Sequence, residues 1–306
     1  MDSIVVQNLT KKFGPFTAVD AINFRVKKGE IFGFLGANGA GKSTAIRMMC
    51  GLLEPTSGTA VVAGHDVSQK PEMVKQSIGY MSQRFSLYED ITVSENIRFF
   101  GGVYGLRGQK LIQRTDWVLD MARLRGQEKQ ITGTLPGGIK QRLALGCAFI
   151  HEPTIVFLDE PTGGVDPISR RQFWELIQQL ADEGTTILVT THFLDEAEYC
   201  HTIALINAGQ IVAYGSPRHL KQNYLPYNIV GLEVDRPLAA LALLQALPYV
   251  VEISLFGLSL HCGVTQVAET IPKIRQVLTS NGFRVSNLEP ILPSLEDVFI
   301  YLIEKK

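Results

Sequence analysis

The sequence contains few cysteines, and they form no recognised pattern. Its 306 residues include four cysteines, which lie far apart and without a C-x-x-C pair. This excludes the disulfide framework that small secreted proteins build from closely spaced cysteines. Six histidines are present, but none has the spacing of a zinc site such as H-E-x-x-H. We therefore expect reduced thiols in the core: Cys50, Cys147, Cys200 and Cys262.

Long apolar runs and an excess of charge of one sign are also missing. No apolar stretch approaches the roughly 18–20 residues that span a bilayer, and residues 1–14 lack the apolar segment of a signal peptide. Lys and Arg together number 29 and Asp and Glu 30, for a formal net charge of −1. A general nucleic-acid binder is usually strongly basic. The composition predicts a soluble globular protein of the cytosolic type. It disfavours a general nucleic-acid binder but leaves local basic patches open, and we expect no nucleic-acid partner.

Short apolar runs alternate with amphipathic stretches up to about residue 220. Residues 31–35, 155–158 and 186–190 are apolar or β-branched, which is typical of strands buried on both faces of a parallel sheet. Helical patterns such as 43–52 and 169–181 lie between them, so we expect an α/β core.

The segment from about residue 85 to residue 151 is helical in pattern instead. Residues 93–104 and 111–122 have apolar side chains at helical spacing. We expect a helical insertion between two strands of the core.

A second domain is predicted after Tyr224, with boundaries 1–224 and 225–306. The pattern βαββαβ predicts a small ferredoxin-like α+β domain, and a last helix starts at Ser294, with Asp297 as a near capping box. Pro272 leaves the start of the second helix open. The domain has no cluster of acids or histidines, so we expect a packing and dimerisation module. Its predicted elements are 228–234, 237–247, 249–255, 258–262, a helix ending at Asn281, and 284–288.

A glycine-rich segment follows the first predicted core strand. Residues 36–43 read Gly-Ala-Asn-Gly-Ala-Gly-Lys-Ser, which is the P-loop pattern in the strand–loop–helix setting that it requires. The glycines let the backbone turn its N–H groups towards phosphate oxygens. Lys42 adds a positive charge for the β- and γ-phosphates, and the Ser43 hydroxyl is a ligand for Mg²⁺. The segment predicts a nucleoside triphosphate site.

Two acidic residues end the second predicted core strand. Asp159 and Glu160 follow four apolar residues, so both lie at the carboxyl end of the strand, where α/β sheets bind ligands. We expect Asp159 to hold Mg²⁺ through water and Glu160 to polarise the attacking water.

Further motifs follow the order found in the ATP-binding subunits of ABC transporters, which the chain resembles over most of its length. Gln83, in Tyr-Met-Ser-Gln, resembles the Q-loop glutamine. Residues 135–142, Leu-Pro-Gly-Gly-Ile-Lys-Gln-Arg, lie at the signature motif, and residues 163–166, Gly-Gly-Val-Asp, lie at the D-loop. His192, after two threonines, resembles the switch histidine. Phe13 lies where the family stacks an aromatic ring on adenine.

The resemblance implies an ATPase that works as a homodimer or heterodimer of such subunits. Each ATP would lie between the P-loop of one subunit and the signature helix of the other, and closure would pull on a membrane partner. The residues that it assigns to catalysis are Glu160, His192 and Gln83. Those assigned to the nucleotide are Phe13, Gly36, Asn38, Gly39, Ala40, Gly41, Lys42, Ser43, Thr44, Pro136, Gly137, Gly138 and Asp166. Those assigned to Mg²⁺ are Ser43, Gln83 and Asp159.

The signature motif departs from the family's usual Leu-Ser-Gly-Gly-Gln. Pro136 replaces the serine and Ile139 the glutamine, and Gly163 stands in the D-loop where serine is usual. Proline brings neither hydroxyl nor N–H, so one phosphate donor is missing, but it suits a helix start. We expect an intact helix and a weaker ATP-driven dimer or slower turnover.

The ABC-2 type export ATPases, which include multidrug-resistance members, are the subfamily that the chain resembles. The resemblance lies in residues 87–106, in His-Glu-Pro at 151–153, in Phe-Leu-Asp-Glu-Ala-Glu at 193–198 and in Pro-Ser-Leu-Glu-Asp-Val-Phe at 293–299. It implies ABC-2 type permease subunits as separate partner chains. It also implies a peripheral position on the cytoplasmic face of the inner membrane.

Two other functions are compatible with a P-loop. A soluble ABC protein acting on ribosomes or DNA usually has two ATPase cassettes or a long coiled coil, whereas this chain has one P-loop, no heptad run and no basic tract. A GTPase or kinase of the wider P-loop class would leave the signature motif and His192 unexplained. The motif set as a whole favours the exporter ATPase.

Aromatic residues of the insertion allow two interpretations. They form its core, or some of them line a groove for a cytoplasmic helix of the membrane partner, and their spacing leaves both open. They are Phe85, Tyr88, Phe99, Phe100 and Tyr104.

Overall fold

The computed structural model describes residues 2–83 and 87–304, without the side chain of residue 304. Phe85, one of the aromatic residues predicted for the insertion, lies outside this part of the chain. The chain divides into two compact units, Met1–Ser216 and Pro217–Lys306. This division lies eight residues before the domain boundary predicted after Tyr224, so the short helix at 217–223 belongs to the second unit. The domain boundary after Tyr224 stays a prediction.

The first unit combines two sheets with six described α-helices. Its strands are β1 (Asp2–Phe13), β2 (Phe16–Lys27), β3 (Ile31–Leu35), β4 (Ser57–Val62), β5 (His65–Asp66), β6 (Ile78–Met81), β7 (Ile155–Asp159), β8 (Thr186–Thr191), β9 (Thr202–Asn207) and β10 (Gln210–Gly215). Its helices are α1 (Lys42–Met49), α2 (Pro71–Ser77), α3 (Val93–Val103), α4 (Gly108–Ala122), α5 (Gly137–Ala148) and α6 (Pro167–Asp182), with short 3₁₀ turns at Thr132–Thr134 and Glu196–Tyr199.

The larger sheet has the order β10-β9-β3-β8-β7-β6. Strands β6, β7, β8, β3 and β9 are parallel, and β10 pairs with β9 antiparallel. Every residue of β3, β7 and β8 is buried, as expected for parallel strands covered on both faces. The predicted α/β core is confirmed. Because the carboxyl ends of parallel strands meet at one edge, the loops after β3, β7 and β8 lie side by side.

A smaller antiparallel sheet, β2-β1-β4-β5, packs with the larger one around a shared core. Phe24 of β2 stacks on Phe32 and Phe34 of β3, with ring centroids 5.1 and 5.6 Å apart. These large rings fix the β1–β2 hairpin beside the loop that follows β3, since burial of a phenylalanine contributes about 1.5–3 kcal/mol.

The helical insertion is confirmed in the described residues between β6 and β7, which contain α3, α4 and α5. Thr92 and Glu95 form a capping box that starts α3. Tyr88 and Phe99 are both about half exposed and contact each other edge to face. Tyr104 stacks on His151, with centroids 3.5 Å apart. The described insertion aromatics therefore divide between exposed positions, Tyr88 and Phe99, and partly buried ones, Phe100 and Tyr104.

The second unit has the sheet order β12-β13-β11-β14, with every pair antiparallel. Together with its two crossover helices, this is the predicted ferredoxin-like βαββαβ arrangement. Ser294 and Asp297 bond reciprocally at the start of the last helix, as expected. The elements are α7 (Pro217–Asn223), β11 (Asn228–Val234), α8 (Pro237–Leu244), β12 (Glu252–Phe256), β13 (Ser259–Val264), α9 (Val267–Ser280), β14 (Val285–Ile291) and α10 (Leu295–Glu304).

Among the described residues, no helix combines the length and the apolar character needed to cross a membrane. All four cysteines are buried and free, as the sequence predicts.

Candidate active site

The loop between β3 and α1 packs so closely on its neighbours that side chains do not fit at two of its glycines. A Cβ atom on Gly36 would lie 2.3 Å from the carbonyl oxygen of Ile206, and one on Gly41 would lie 2.4 Å from that of Ala18. Gly41 also has a φ of 108°, a conformation that glycine adopts readily. Glycine at positions 36 and 41 is therefore required by the packing of this loop.

Lys42 is the first residue of α1, and its ammonium group is buried under this loop. Its Nζ donates hydrogen bonds to the carbonyl oxygens of Gly36, at 2.8 Å, and Ala37, at 3.2 Å. The same atom lies 3.2 Å from Oε1 of Glu160. A buried charge needs such partners, and these contacts hold the lysine at the edge of the sheet.

The two acidic residues at the end of β7, Asp159 and Glu160, are each held by more than one polar partner. Oδ1 of Asp159 accepts hydrogen bonds from the hydroxyls of Ser43, at 3.2 Å, and Thr190, at 2.6 Å. Oε2 of Glu160 accepts one from the Gln83 amide, at 2.9 Å, and lies 3.3 Å from Nδ1 of His192.

The predicted catalytic and metal-binding residues thus come together at one sheet edge. They are Ser43, Gln83, Asp159, Glu160 and His192, with Lys42 beside them.

Glu160 has an unusual backbone conformation. Its φ is 49°, in the left-handed region that costs a residue with a Cβ about 1–2 kcal/mol. Its N–H donates to both the carbonyl oxygen of Thr190, at 3.1 Å, and the hydroxyl of Thr190, at 3.0 Å. Strained residues of this kind concentrate at functional sites and persist where their surroundings fix them.

A cavity of about 300 Å³ opens in front of these groups. One wall is the hairpin of β1 and β2, in which Phe13 pairs with Phe16; both rings are about half exposed. Lys11 lies over the Phe13 ring, with Nζ 5.4 Å from its centroid. An aromatic wall opposite a glycine-rich loop suits a nucleobase and its phosphates. The lining residues are Phe13, Phe16, Ala18, Asn38, Gly39, Gly41, Lys42, Ser43, Thr44, Gln83 and Glu160.

The signature segment lies at the start of α5, away from this cavity. Pro136 immediately precedes the helix, and its carbonyl oxygen accepts hydrogen bonds from the N–H groups of Ile139 and Lys140, both at 3.0 Å. The helix therefore forms with proline at this position, as expected. Among the described lining residues, none belongs to the predicted set Pro136, Gly137, Gly138 and Asp166.

Asp166 caps the next helix, α6, close to the signature segment. Its Oδ1 accepts hydrogen bonds from the N–H groups of Ile168, at 3.1 Å, and Ser169, at 2.9 Å. The hydrogen bonds from Ser169 lower the pKa of Asp166 below its ordinary value. A Cβ on Gly138 would lie 2.5 Å from Oγ of the same serine. Ser169 thus contacts both segments.

Two groups near Asp159 stay neutral. Burial raises the pKa of the Cys50 thiol, and the charge of Asp159 raises it further. The same two causes raise the pKa of Tyr80. The Cys50 thiol and the Tyr80 phenol therefore add no negative charge beside Asp159.

The oxygen donors at the sheet edge fit a hard divalent cation. In the described ranges, no group of three His, Cys, Asp or Glu residues is arranged to hold a metal by itself. Mg²⁺ usually binds through one or two carboxylates together with substrate phosphates. Ser43 and Asp159 fit this pattern, because the Ser43 hydroxyl and a carboxylate oxygen of Asp159 lie 3.2 Å apart. Gln83 reaches the same edge through its hydrogen bond to Glu160.

Three residues of the site are absent from the predicted site residues, namely Phe16, Ala18 and Thr190. Phe16 lines the cavity with Phe13, and Thr190 bonds to both Asp159 and Glu160. A second aromatic across the Gly14-Pro15 turn was a usable signal for Phe16. No sequence signal pointed to Thr190, because its role depends on the register of β7 and β8.

Comparison with protein families agrees with this geometry. The profile of the ABC transporter family matches residues 19–163. The profile described as "ATP-binding protein DrrA1-3-like, C-terminal domain" matches residues 215–303.

Individual proteins show the same similarity. The chain is 53% identical over 218 residues to the probable multidrug ABC transporter ATP-binding protein YbhF of Escherichia coli (strain K12), a match that covers 71% of the chain and 38% of that relative. It is 34% identical over 301 residues to the Nod factor export ATP-binding protein I of Rhizobium sp. (strain N33), covering 98% and 96% of the two chains. The dimeric ATP-binding cassette MJ0796, bound to ADP and Pi after hydrolysis, superposes with a TM-score of 0.64 at 25% identity, covering 70% of the chain and 98% of that structure.

Proposed function

The chain belongs to the ATP-binding proteins of ABC transporters, and from this premise we propose that it hydrolyses ATP to drive an ABC-2 type exporter. The observation that carries the proposal is the convergence of Lys42, Ser43, Gln83, Glu160 and His192 on one cavity edge. No other described part of the chain combines a phosphate loop with catalytic carboxylates.

Each group has a role that its position supports. The P-loop backbone and Lys42 bind the phosphates, and Phe13 stacks on the adenine. Glu160 would orient and polarise the attacking water, and His192, whose Nδ1 lies 3.3 Å from Glu160, would support Glu160 in that role. The catalysis consists of positioning and charge stabilisation.

Ser43, Gln83 and Asp159 are the residues that would hold Mg²⁺. A bound Mg²⁺ ion neutralises charge on the phosphates during transfer. Asp159 is fixed by two hydroxyl donors, so its orientation is set in advance of metal binding.

We further propose that two subunits pair head to tail around two ATP molecules, as a homodimer or with a different partner subunit. Pro136, Gly137, Gly138 and Asp166 do not line the chain's own cavity, which suits a role at the nucleotide of the opposite subunit. In such a dimer, the positive end of the α5 helix dipole would point towards that nucleotide. The dimeric state of the similar MJ0796 cassette supports this arrangement.

Export through a membrane permease is the proposed use of the ATP. The relatives are named for multidrug transport and for Nod factor export, which supports an export direction without naming a substrate. The ABC-2 permease subunits would be separate chains, and the protein would lie peripherally on the cytoplasmic face of the inner membrane. The exposed Tyr88 and Phe99 are part of the surface proposed to receive a cytoplasmic helix of the permease.

The test is capture from detergent-solubilised native membranes with a Glu160→Gln bait and Mg-ATP. This variant should bind ATP and hydrolyse it slowly, so the closed dimer persists. Mass spectrometry should identify polytopic membrane subunits of the ABC-2 type. The control bait carries Lys42→Ala as well, and it should lose these partners because it no longer holds the phosphates.

Recovery of ribosomal or DNA-associated proteins without any membrane protein would overturn the exporter proposal. Recovery of the same membrane proteins by both baits would show that the association does not depend on ATP.

A further inference from the structure

Thr190 is placed beside Asp159 by the pairing of two parallel strands. In the register of β7 and β8, Asp159 lies opposite Thr190. Thr190 has no exposed surface, so its hydroxyl must find its partners inside the protein. Its environment is the carboxyl edge of the sheet, where the proposed catalytic residues converge.

The Thr190 hydroxyl acts as donor and acceptor at the same time. It donates to Oδ1 of Asp159 at 2.6 Å and accepts from the backbone N–H of Glu160 at 3.0 Å. The carbonyl oxygen of Thr190 accepts from the same N–H at 3.1 Å. One residue therefore fixes the side chain of Asp159 and the backbone of Glu160.

The backbone of Glu160 is the part that needs this restraint. Its φ of 49° is unfavourable for a residue with a Cβ. The direction in which its carboxylate points depends on this conformation, because the strand turns here. If the hydrogen bonds from the Glu160 N–H to Thr190 were lost, the Glu160 backbone could change conformation and move its carboxylate away from Gln83 and His192.

We propose that Thr190 is a positioning residue for ATP hydrolysis, with one hydroxyl that orients both the metal-binding Asp159 and the general base Glu160. The inference rests on the proposed ATPase function. Thr190 does not line the nucleotide cavity and acts only through its two neighbours.

A matched control lies on the same strand. Thr186 is equally buried, and its hydroxyl bonds to the N–H of Gly29 at 3.0 Å and to Ser3 Oγ at 2.9 Å. These partners belong to the opposite end of β8, outside the site. Thr186→Val therefore removes a buried hydroxyl from the same strand without touching Asp159 or Glu160.

The experiment compares Thr190→Val, Thr190→Ser and Thr186→Val in the full chain. Steady-state ATPase gives kcat and KM. In a second set that also carries Glu160→Gln, titration of a fluorescent ATP analogue with and without Mg²⁺ measures how far Mg²⁺ tightens binding. Thermal unfolding of each variant checks that it folds.

Thr190→Val should lower kcat about ten-fold or more, since it removes a hydrogen bond to a charged group. It should also lose most of the Mg²⁺-dependent gain in affinity, while binding measured without Mg²⁺ stays at the wild-type level. Thr190→Ser should restore both quantities, because it returns the hydroxyl. Thr186→Val should behave as wild type in both. If Thr190→Val does not fold, Thr190→Ala takes its place with the same expectations.

The inference would be overturned if Thr190→Val had the same kcat and the same Mg²⁺-dependent gain in affinity as Thr186→Val. It would also be overturned if Thr190→Ser restored neither kcat nor this gain in affinity. Failure of the proposed function gives a different pattern, in which the wild-type chain shows no ATPase or Glu160→Gln is as active as wild type. The two failures are therefore distinguishable in one set of assays.

Discussion

Lys42 and Glu160 form a buried ion pair, with Nζ and Oε1 3.2 Å apart and side chains only 4% and 9% exposed. Removing one partner of such a pair leaves an uncompensated buried charge, which typically costs about 3–5 kcal/mol. Glu160→Gln keeps an oxygen acceptor at the same place, and Lys42 keeps its two carbonyl partners. For that reason glutamine is the substitution of choice for separating binding from hydrolysis.

The aromatic wall of the cavity gives a prediction for nucleotide affinity. Phe13→Ala should weaken binding of ATP about ten-fold, since stacking of a base on an aromatic side chain contributes about 1–3 kcal/mol. Phe13→Tyr should keep the affinity, and Phe16→Ala should have the smaller effect. Titration with a fluorescent ATP analogue measures all three. Phe99→Ala, at a half-exposed phenylalanine of α3, is the control. Wild-type affinity in Phe13→Ala would remove Phe13 from the site.

Restoring a serine at the start of α5 should strengthen the ATP-dependent dimer. Pro136→Ser supplies both an N–H and a hydroxyl, and serine is a favoured residue before a helix. One added hydrogen bond to a phosphate corresponds to about ten-fold in affinity. Light scattering of the Glu160→Gln chain with ATP, with and without Pro136→Ser, measures dimer formation, and turnover is measured without Glu160→Gln. Pro226→Ser, at an exposed proline, should change neither. Unchanged dimerisation and turnover in Pro136→Ser would contradict this account of the signature motif.

His151 gives a prediction about stability and pH. Burial lowers the pKa of His151 to about 4, and its ring stacks on Tyr104. The unfolded chain protonates this histidine below about pH 6.5, so between pH 6.5 and 4 the unfolded state binds more protons than the folded state. Stability from this group is present above pH 6.5 and is lost as pH falls towards 4. Chemical denaturation at pH 7.5 and at pH 5 measures how far the free energy of unfolding falls between the two pH values. This fall should be smaller for His151→Phe than for wild type or for His65→Phe. An equal difference in all three chains would contradict the prediction.

Some strands were predictable from sequence, and less regular elements were not. Both β3, a buried and mainly apolar run, and β11, a mixed one, have the predicted bounds. Helix α8 ends at Leu244 rather than 247, ahead of Pro248, which disfavours helix in the residue before it. Strand β12 begins at Glu252 rather than 249, because the N–H of Val250 bonds back to Leu247 in a turn. The β1–β2 hairpin has several register shifts that break its alternation, and it is absent from the predicted elements.

The site was predictable where motif and topology coincide. Lys42 and Glu160 follow different strands, but the parallel order β3-β8-β7 brings the carboxyl ends of those strands to one edge. Thr190 lies in an ordinary buried strand pattern, and its importance follows from its partner across β7 and β8. The register of two strands cannot be read from the sequence. The hydrogen bonds of Thr190 could therefore be identified only in the structure.

The most direct test of the central claim is ATP turnover by the purified wild-type chain and its Glu160→Gln variant, with ATP binding measured on both. We expect the wild type to hydrolyse ATP in the presence of Mg²⁺. We expect Glu160→Gln to retain ATP affinity but to lose at least about 100-fold in turnover, the range expected for removal of a general base. Wild-type turnover in Glu160→Gln, or no hydrolysis by the wild-type chain, would contradict the assignment of this site as an ATPase centre.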